Sequence, residues 1–347
     1  MTIVVLKLPG VKRKREERPR RCSYCEGETF QRWGSVNKPV KDIRVRNVKV
    51  YRYRCCHCKR TFRFYPEGNT RTDQTERLRV FAVLLWRLGL SHRASSLILS
   101  GLKVFVSHMT IWRDVQGEAK QIKKHNHWKP VRILGLDGAS VLGWGEKQPV
   151  LVAVDLGTGE PIAVGYINEY DPQAVRRWLE PLVQRHGITV IVTDDLSSYK
   201  IVAEKLQLTH QVCQFHVRRG VGKTLKELQE TIPKEWLWVL EEIHQLLDLL
   251  PLDGSKSLYA LWKQLPGRRS TPIQSRSALE QLRDLLLRLS EHWQSYCTFQ
   301  SEPEIPWTNN ATEQAIGRMK MRARTVRGYK SWQGMETGLM LAGTYAH

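Results

Sequence analysis

The chain has 347 residues, of which 41% are hydrophobic and 26% are charged, so it can form two or three folded domains. No stretch reaches the ~18 uncharged apolar residues of a membrane helix. The basic N-terminus also lacks the apolar segment of a secretory signal peptide. The sequence therefore argues against a membrane protein and a secreted one, and we expect a cytoplasmic protein.

The net charge of +21 is concentrated near the N-terminus. Residues 1–64 carry 19 basic and 5 acidic side chains, and residues 65–130 carry 11 and 5, whereas the rest of the chain is nearly neutral. Such a basic region favours a polyanionic partner, most often nucleic acid. A basic tail that only improves solubility is the alternative, but it does not explain the cysteines and aromatic residues of the same region.

Cysteines in this basic region form two C-x2-C pairs. Cys22 and Cys25 make the first pair, and Cys55 and Cys58 make the second. In a chain without a secretion signal, clustered cysteines indicate a metal site more often than disulfides. Four thiolates suit the tetrahedral coordination of Zn²⁺, so we predict a structural zinc site.

The segment between the two pairs has the alternation of a β-strand. Apolar and polar residues alternate over residues 43–54, which favours a β-rich zinc ribbon over a helical zinc finger. We predict a ribbon at residues 22–66, after a basic arm at residues 1–21. Cys56 or His57 could replace one ligand, and buried reduced cysteines or a redox pair are alternatives to metal.

A helix-turn-helix DNA-binding region with its linker is predicted at residues 67–130. The pattern gives helices at about 76–88, 92–99 and 107–120, followed by a polar linker at 120–129. A short helix, a turn and a second capped helix form the motif whose second helix enters the major groove of DNA. Any small three-helix domain has a similar pattern. The residues that we expect to contact DNA lie at the start of the third helix: Ser107, His108, Thr110 and Arg113.

From residue 131 onward the sequence has the pattern of an α/β domain. The predicted strands are Val131–Val141, Pro149–Asp155, Ile162–Ile167, Gly187–Thr193 and Gln211–Phe215. A glycine-containing turn makes the second and third strands a hairpin. Residues 221–298 are predicted to be helical, and a further helix begins at Asn310. The sequence thus predicts a mixed sheet flanked by helices, with a helical insertion, over residues 131–347.

Three carboxylates in this domain occupy positions that suit a metal site. Asp137 lies inside an apolar strand, where a carboxylate is costly unless it is paired or binds a cation. Asp194 follows a buried strand, at the edge where α/β sheets bind ligands. Glu313 comes early in a helix. Three such carboxylates can hold two divalent cations for phosphodiester chemistry.

Each of these carboxylates also has a structural alternative. Asp137 could bond only to backbone groups. Asp194 and Asp195 could be turn residues or helix caps; we expect that one caps and that Asp194 is the functional one. Glu313 could belong to a capping box with Asn310.

Basic side chains follow Glu313 along the same predicted helix. At ~100° per residue, Lys320, Arg324 and Arg327 lie within about 40° of Glu313 around the helix axis. This arrangement suits a DNA backbone that runs past a metal site, and a solvated basic face is the alternative. The remaining two arginines of this segment face the opposite side: Arg318 and Arg322.

In their order, these motifs resemble those of bacterial insertion-sequence transposases of the DDE class. Leu136-Asp137-Gly138 is similar to the first acidic motif of that family, and Thr193-Asp194-Asp195 is similar to the second. Thr308–Glu313 resembles the third motif, TNN-x2-E. Cys213-Gln214-Phe215-His216 resembles the C-x2-H that follows the second aspartate in several branches, including the Mutator-like one.

The resemblance implies an α/β RNase H-like catalytic core, preceded by the zinc ribbon and the helix-turn-helix domain. Asp137, Asp194 and Glu313 would be catalytic and would hold two Mg²⁺ ions, for which Mn²⁺ can substitute. Cys213 and His216 would support the active site.

The resemblance also implies the partners and the reaction. The protein would bind double-stranded DNA, both the ends of its own element and the target, and would cleave and join phosphodiesters. A homodimer or larger assembly would form the synaptic complex, associated with the nucleoid. A transposase-derived DNA-binding regulator without catalysis, and an RNase H-like nuclease that cuts without joining, remain alternatives.

Overall fold

The structure is a computed structural model that describes residues 8–15, 17–267, 277–326 and 328–344. Within these residues the chain forms two units. The first unit contains residues 8–122 and 321–326, and the second contains residues 123–320 and 328–344. Among the described helices, none is long and apolar enough to cross a membrane.

A three-stranded antiparallel sheet begins the first unit. Its strands are β1 (Phe30–Pro39), β2 (Asn47–Cys55) and β3 (Thr61–Phe64), in that order across the sheet. The alternation that predicted a strand over residues 43–54 is confirmed from Asn47 onward in β2, whose Val48 and Val50 are buried, whereas residues 43–46 belong to the preceding loop. The sequence did not predict β1, because its polar side chains are nearly all exposed and leave no hydrophobic alternation.

Three helices follow the sheet in the first unit. They are α1 (Glu76–Arg87), α2 (His92–Gly101) and α3 (His108–Asn126). The α1 and α2 helices begin where Thr75 and Ser91 accept backbone N–H groups, and Ser107 does the same for α3. The helices pack around a core that includes Leu78, Leu99 and Ile111.

The predicted linker at 120–129 is mostly helical, because α3 continues to Asn126. Two of the polar side chains that suggested a linker have partners in the fold. Lys123 forms a 2.8 Å ion pair with Glu336, and the Asn126 amide donates to the Pro161 carbonyl at 2.9 Å. Polar composition alone therefore ended the predicted helix too early.

A buried aspartate links the sheet of the first unit to its helices. Asp42 precedes β2 and forms a 2.7 Å ion pair with Arg77 of α1. Burial alone would raise the pKa of the Asp42 carboxyl. Hydrogen bonds from Arg77, Thr75 and two backbone N–H groups outweigh burial and lower the pKa of Asp42 to about 2. A charged, fully bonded carboxylate thus holds the start of α1 against the loop before β2.

The second unit is built on a five-stranded mixed sheet. In chain order the strands are β4 (Ile133–Gly143), β5 (Glu146–Asp155), β6 (Glu160–Gly165), β7 (Val190–Thr193) and β8 (Thr209–Val212). Their order across the sheet is β6-β5-β4-β7-β8. The β4, β5 and β6 strands are antiparallel, whereas β7 and β8 run parallel to β4.

Helices flank this sheet, as an RNase H-like core requires. The α4 (Pro172–His186) and α5 (Ser197–Lys205) helices cover one face, where Leu134 and Leu136 of β4 pack with Leu179 and Val202. The expected fold class, an α/β RNase H-like core with a mixed sheet, is confirmed.

A helical segment follows β8 and has its own hydrophobic core. It contains α6 (Gln214–Gln229), a 3₁₀ turn (Lys234–Trp236), α7 (Leu237–Leu249), α8 (Gly254–Gln264) and α9 (Ala278–Ser301). The helical part begins at Gln214, earlier than the predicted 221, because β8 ends at Val212. The chain then forms α10 (Asn310–Thr325) and α11 (Trp332–Gly343), the second of which the sequence did not predict.

Candidate active site and metal-binding cysteines

Two of the predicted carboxylates lie on neighbouring strands. Asp137 is in the middle of β4, and Asp194 directly follows β7, which is paired with β4. The parallel register pairs Gly135 with Val192. If this register is extended by two residues along both strands, Asp137 lies opposite Asp194. The charge on Asp194 contributes to raising the pKa of Asp137, so the two carboxylates share one electrostatic environment.

The helix that carries Glu313 is anchored beside Asp137. Asn309, which is fully buried, precedes α10 and donates a 2.9 Å hydrogen bond from its amide to the carbonyl of Leu136. The hydroxyl of Thr312 donates to the Asn309 side-chain oxygen at 2.6 Å. These contacts bring the first turn of α10, and with it Glu313, to the strand segment that contains Asp137.

A glycine in β4 permits this close approach. A Cβ atom at Gly135 would overlap the Thr312 hydroxyl and crowd the Asn309 side-chain oxygen. Glu313 itself does not form the capping box that its spacing allowed. Its backbone N–H bonds to the Asn309 carbonyl at 3.1 Å, and within the described residues its Oε1 atom is buried without a hydrogen bond.

The C-x2-H motif lies between these segments. Cys213 is fully buried at the start of α6, and its sulfur accepts the backbone N–H of Asn309 at 3.3 Å. One turn later, His216 places its Nδ1 atom 3.0 Å from Asp194 Oδ1 and 3.8 Å from Glu313 Oε1. Cys213 therefore contacts the segment that positions Glu313, and His216 contacts both carboxylates.

The surroundings of the two aspartates strongly disfavour their negatively charged forms. Burial raises the pKa of Asp137 to about 7, with further contributions from Asp194 and Glu169. Burial also raises the pKa of Asp194 to about 7, with contributions from Glu313, Glu169 and the adjacent Asp195. Like charges in a low-dielectric site need either protons or cations to balance them.

Glu169, which the sequence analysis missed, is a fourth carboxylate of this site. It lies in the loop between β6 and α4 and accepts a 2.8 Å hydrogen bond from the buried hydroxyl of Tyr199. A Cβ atom at Gly138 would overlap its carboxylate, so the glycine beside Asp137 makes room for it. No motif or strand end marks Glu169 in the sequence, and only the fold brings it to Asp137.

Asp195 has different surroundings from Asp194. Its carboxylate forms a 2.6 Å ion pair with Lys200 and lies 3.7 Å from Arg288. The residue before α5 is Leu196, and no side chain caps that helix. The expectation that one of the two aspartates caps a helix is therefore wrong, because Asp195 pairs with cations instead.

The basic residues of α10 divide into two groups. Lys320 and Arg324 are exposed, and the positive charge of Lys320 offsets a small part of the rise in the pKa of Asp137. Arg318 donates to the Gly343 carbonyl, and the guanidinium of Arg322 lies 4.1 Å from the Trp86 ring centroid. The sequence also pointed to Arg327, which lies outside the described residues.

The four cysteines of the two C-x2-C pairs come together in the first unit. The sulfur atoms of Cys22, Cys25, Cys55 and Cys58 all lie within 4.8 Å of one another. The sulfur of Cys22 is 3.8 Å from that of Cys58, and the sulfur of Cys25 is 3.6 Å from that of Cys55. These separations fit a tetrahedron around a metal with metal–sulfur bonds of ~2.3 Å, the distance for zinc.

The two pairs have the same backbone geometry. Glu26 N–H bonds to the Cys22 carbonyl at 3.1 Å, and Lys59 N–H bonds to the Cys55 carbonyl at 3.0 Å. Glu26 and Lys59 both have a left-handed φ, of 58° and 60°. A hydrogen bond from the backbone N–H of Cys58 has the largest effect on the pKa of the Cys55 thiol, which is lowered to about 6. Each pair is thus a preformed turn that presents sulfur atoms to a common point.

The predicted DNA-contacting residues lie at the start of α3. Ser107, His108 and Arg113 are exposed, and Thr110 is half-buried. Ser107 also accepts the backbone N–H of Thr110 at 3.2 Å, and the two hydroxyls are 2.9 Å apart. His108 and Arg113 are therefore the freer side chains of this surface, while Ser107 caps the helix and its hydroxyl is paired with that of Thr110.

Half of the sequence matches a known protein family. The model described as Transposase IS66 family matches residues 163–337, which is half of the sequence. The chain belongs to the IS66 transposase family. This confirms the resemblance to DDE insertion-sequence transposases that the ordered acidic motifs indicated. The matched range includes Asp194 and Glu313 and begins after Asp137. A comparison with curated proteins gave no match.

Solved structures similar to this chain include retroviral integrase domains. The catalytic core domain of BIV integrase is 18% identical, with a TM-score of 0.20, over 46% of this chain and 96% of that one. The HTLV-2 integrase catalytic core domain in complex with magnesium, in its dimeric form, is 18% identical, with a TM-score of 0.21, over 45% and 99%. The order β6-β5-β4-β7-β8, with its antiparallel and parallel pairs, defines the fold of this domain.

Replacing Cys55 by serine should reduce the zinc content of the purified protein from about one ion per chain to less than about half of that, because one thiolate of four is lost. The same change should lower the temperature at which the first unit unfolds. The matched control is Cys56→Ser, since Cys56 is adjacent and lies outside the group of four. Zinc analysis and thermal unfolding are the measurements. Equal zinc content in Cys55→Ser and wild type would contradict zinc binding by the four cysteines.

Replacing Asn309 by alanine should reduce DNA cleavage by about 100-fold, because the start of α10 loses its hydrogen bond to β4 and Glu313 shifts. The free energy of unfolding should fall by about 1–3 kcal/mol, since a buried carbonyl loses its partner. Asn310→Ala is the control, because Asn310 is exposed on the same helix. Urea unfolding and a cleavage assay test both effects. Cleavage by Asn309→Ala within about twofold of wild type would count against this positioning role.

Proposed function

We propose that this chain is an active DNA transposase that binds the ends of its own insertion sequence and catalyses metal-dependent phosphodiester cleavage and strand transfer into target DNA. The observation that carries the proposal is the convergence of Asp137, Asp194 and Glu313. They come from a central strand, from the end of its neighbour and from a distant helix, and they meet in one half-buried cluster. A protein that only binds DNA has no need of such a costly arrangement.

The residues of the cluster fit divalent cations. Carboxylate oxygens are the ligands that Mg²⁺ prefers, and the Asp194 Oδ1 and Glu313 Oε1 atoms are buried without hydrogen bonds in the described part of the chain. Two Mg²⁺ ions held by Asp137, Asp194 and Glu313 would offset the repulsion that raises the pKa values of the aspartates, and Mn²⁺ could replace them. Bound cations would activate the attacking oxygen and stabilise the leaving oxygen.

The chain's own residues have distinct tasks in this proposal. The three carboxylates orient the cations, and Cys213 supports the segment that carries Glu313 through its bond to Asn309. Lys320 and Arg324 are exposed further along α10, where they would bind phosphates of the DNA backbone. Arg327, which lies outside the described residues, is proposed to bind DNA as well.

The first unit would recognise DNA. Its basic charge supports electrostatic attraction to the duplex. The start of α3 would enter the major groove with His108 and Arg113, while Ser107 and Thr110 would contribute hydroxyl groups beside them. We further propose that Cys22, Cys25, Cys55 and Cys58 bind a structural Zn²⁺ ion that holds the ribbon.

Transposition requires a particular oligomeric state and a location where the protein meets DNA. Two element ends must be held together, so we propose a homodimer or a larger synaptic complex. The protein would act on double-stranded DNA in the nucleoid of the cytoplasm. The proposed domains are a basic arm at 1–21, the zinc ribbon at 22–66, the helix-turn-helix region and linker at 67–130 and the catalytic domain at 131–347.

The test is cleavage and joining of DNA that contains the gene's own flanking sequences, with Mg²⁺ or Mn²⁺. Wild type should cut and join, whereas Asp194→Asn should bind the DNA and cut at least ~1,000-fold more slowly. Asp195→Asn is the matched control, because its carboxylate pairs with Lys200 rather than with the cluster. It should retain cutting within about tenfold.

Other outcomes would point to the alternatives. Cutting without joining would indicate a nuclease. Binding without cutting by wild type, with either cation, would indicate a DNA-binding regulator. Equal cutting by Asp194→Asn and wild type would contradict the proposed metal site.

A further inference from the structure

Three buried polar atoms from three different side chains face one another in the active site. They are Asp194 Oδ1, His216 Nδ1 and Glu313 Oε1, and within the described residues none of them makes a hydrogen bond. His216 Nδ1 lies 3.0 Å from Asp194 Oδ1 and 3.8 Å from Glu313 Oε1. Buried polar atoms without partners are costly, so this arrangement indicates a missing common partner.

The properties of these atoms indicate what that partner is. Two are carboxylate oxygens and one is an imidazole nitrogen, and each can donate an electron pair to a cation. The ring nitrogen is within reach of Asp194 Oδ1, but it does not point a hydrogen at that oxygen in bonding geometry. A plain ion pair between a protonated His216 and Asp194 therefore does not account for all three atoms.

We propose that His216 is a direct ligand of a divalent cation held between Asp194 and Glu313, and that its nitrogen strengthens the binding of a transition-metal ion at this position while leaving Mg²⁺ binding nearly unchanged. This inference rests on the proposed function in taking the two carboxylates as cation ligands. Mg²⁺ prefers oxygen ligands and gives up its waters reluctantly, whereas imidazole is a common ligand of transition metals.

Cys213 has a different part in this corner of the site. Its sulfur and ligand atoms of His216 and Glu313 all lie within 4.8 Å of one another, so the three side chains could reach one metal ion. The sulfur already accepts the backbone N–H of Asn309, and the residue is fully buried. Cys213 therefore acts as a positioning residue that sets α6 against the start of α10, and α6 in turn directs His216 between the carboxylates.

The test uses the full-length, zinc-loaded protein with Mn²⁺ as the probe, because pulsed electron paramagnetic resonance detects a nitrogen atom bound to Mn²⁺. Wild type should show a ¹⁴N coupling from a histidine ligand. His216→Ala and His216→Gln should lose that coupling, and calorimetry should show that Mn²⁺ affinity falls by about tenfold or more. Mg²⁺ affinity should change by less than about threefold.

His244→Ala is the control, because His244 is an exposed histidine on α7 and should leave the coupling and both affinities unchanged. Thermal unfolding of each variant shows whether the fold is retained, and the wild-type spectrum does not depend on any variant.

The outcomes separate this inference from the proposed function. Mn²⁺ binding and DNA cutting by wild type without any ¹⁴N coupling would overturn the role of His216 and leave the transposase proposal intact. Retention of the coupling in both His216 variants would also overturn it. If no Mn²⁺ or Mg²⁺ binds near Asp194, the inference and the metal-dependent function both fail.

Discussion

Repulsion between carboxylates is the constraint on which the second unit depends. Asp137, Asp194, Glu169 and Glu313 meet where burial weakens hydration, and burial is the main reason that the pKa values of the two aspartates are raised. The fold holds these groups together against that repulsion through neighbouring strands and buried hydrogen bonds. Such preorganisation is useful only if cations balance the charge during function.

Much of this arrangement could be predicted from sequence because it depends on local patterns. An apolar run located β4 and an apolar β-branched run located β7, and an aspartate inside or directly after such a run is unusual enough to identify Asp137 and Asp194. Serine caps located the starts of α2 and α3. The C-x2-C spacing predicted four sulfur atoms that the structure brings within 4.8 Å.

The rest depends on contacts between residues that are far apart in sequence. Glu169 has no motif, and only the hydroxyl of Tyr199 and the space beside Gly138 bring it to the cluster. The length of α3 depends on partners more than 30 residues away, such as Pro161 for Asn126. The sequence favours Asp194 over Asp195 only because Asp194 comes first after the strand. The ion pair of Asp195 with Lys200, which separates the two aspartates, is visible only in the folded structure.

Anomalous diffraction from crystals grown with Mn²⁺ would show whether this cluster holds divalent cations. We expect one anomalous peak between Asp137 and Asp194 and a second beside Glu313, each within about 2.0–2.6 Å of carboxylate oxygens. Well-ordered carboxylates that bond to one another or to basic side chains, without an anomalous peak at saturating Mn²⁺, would contradict it.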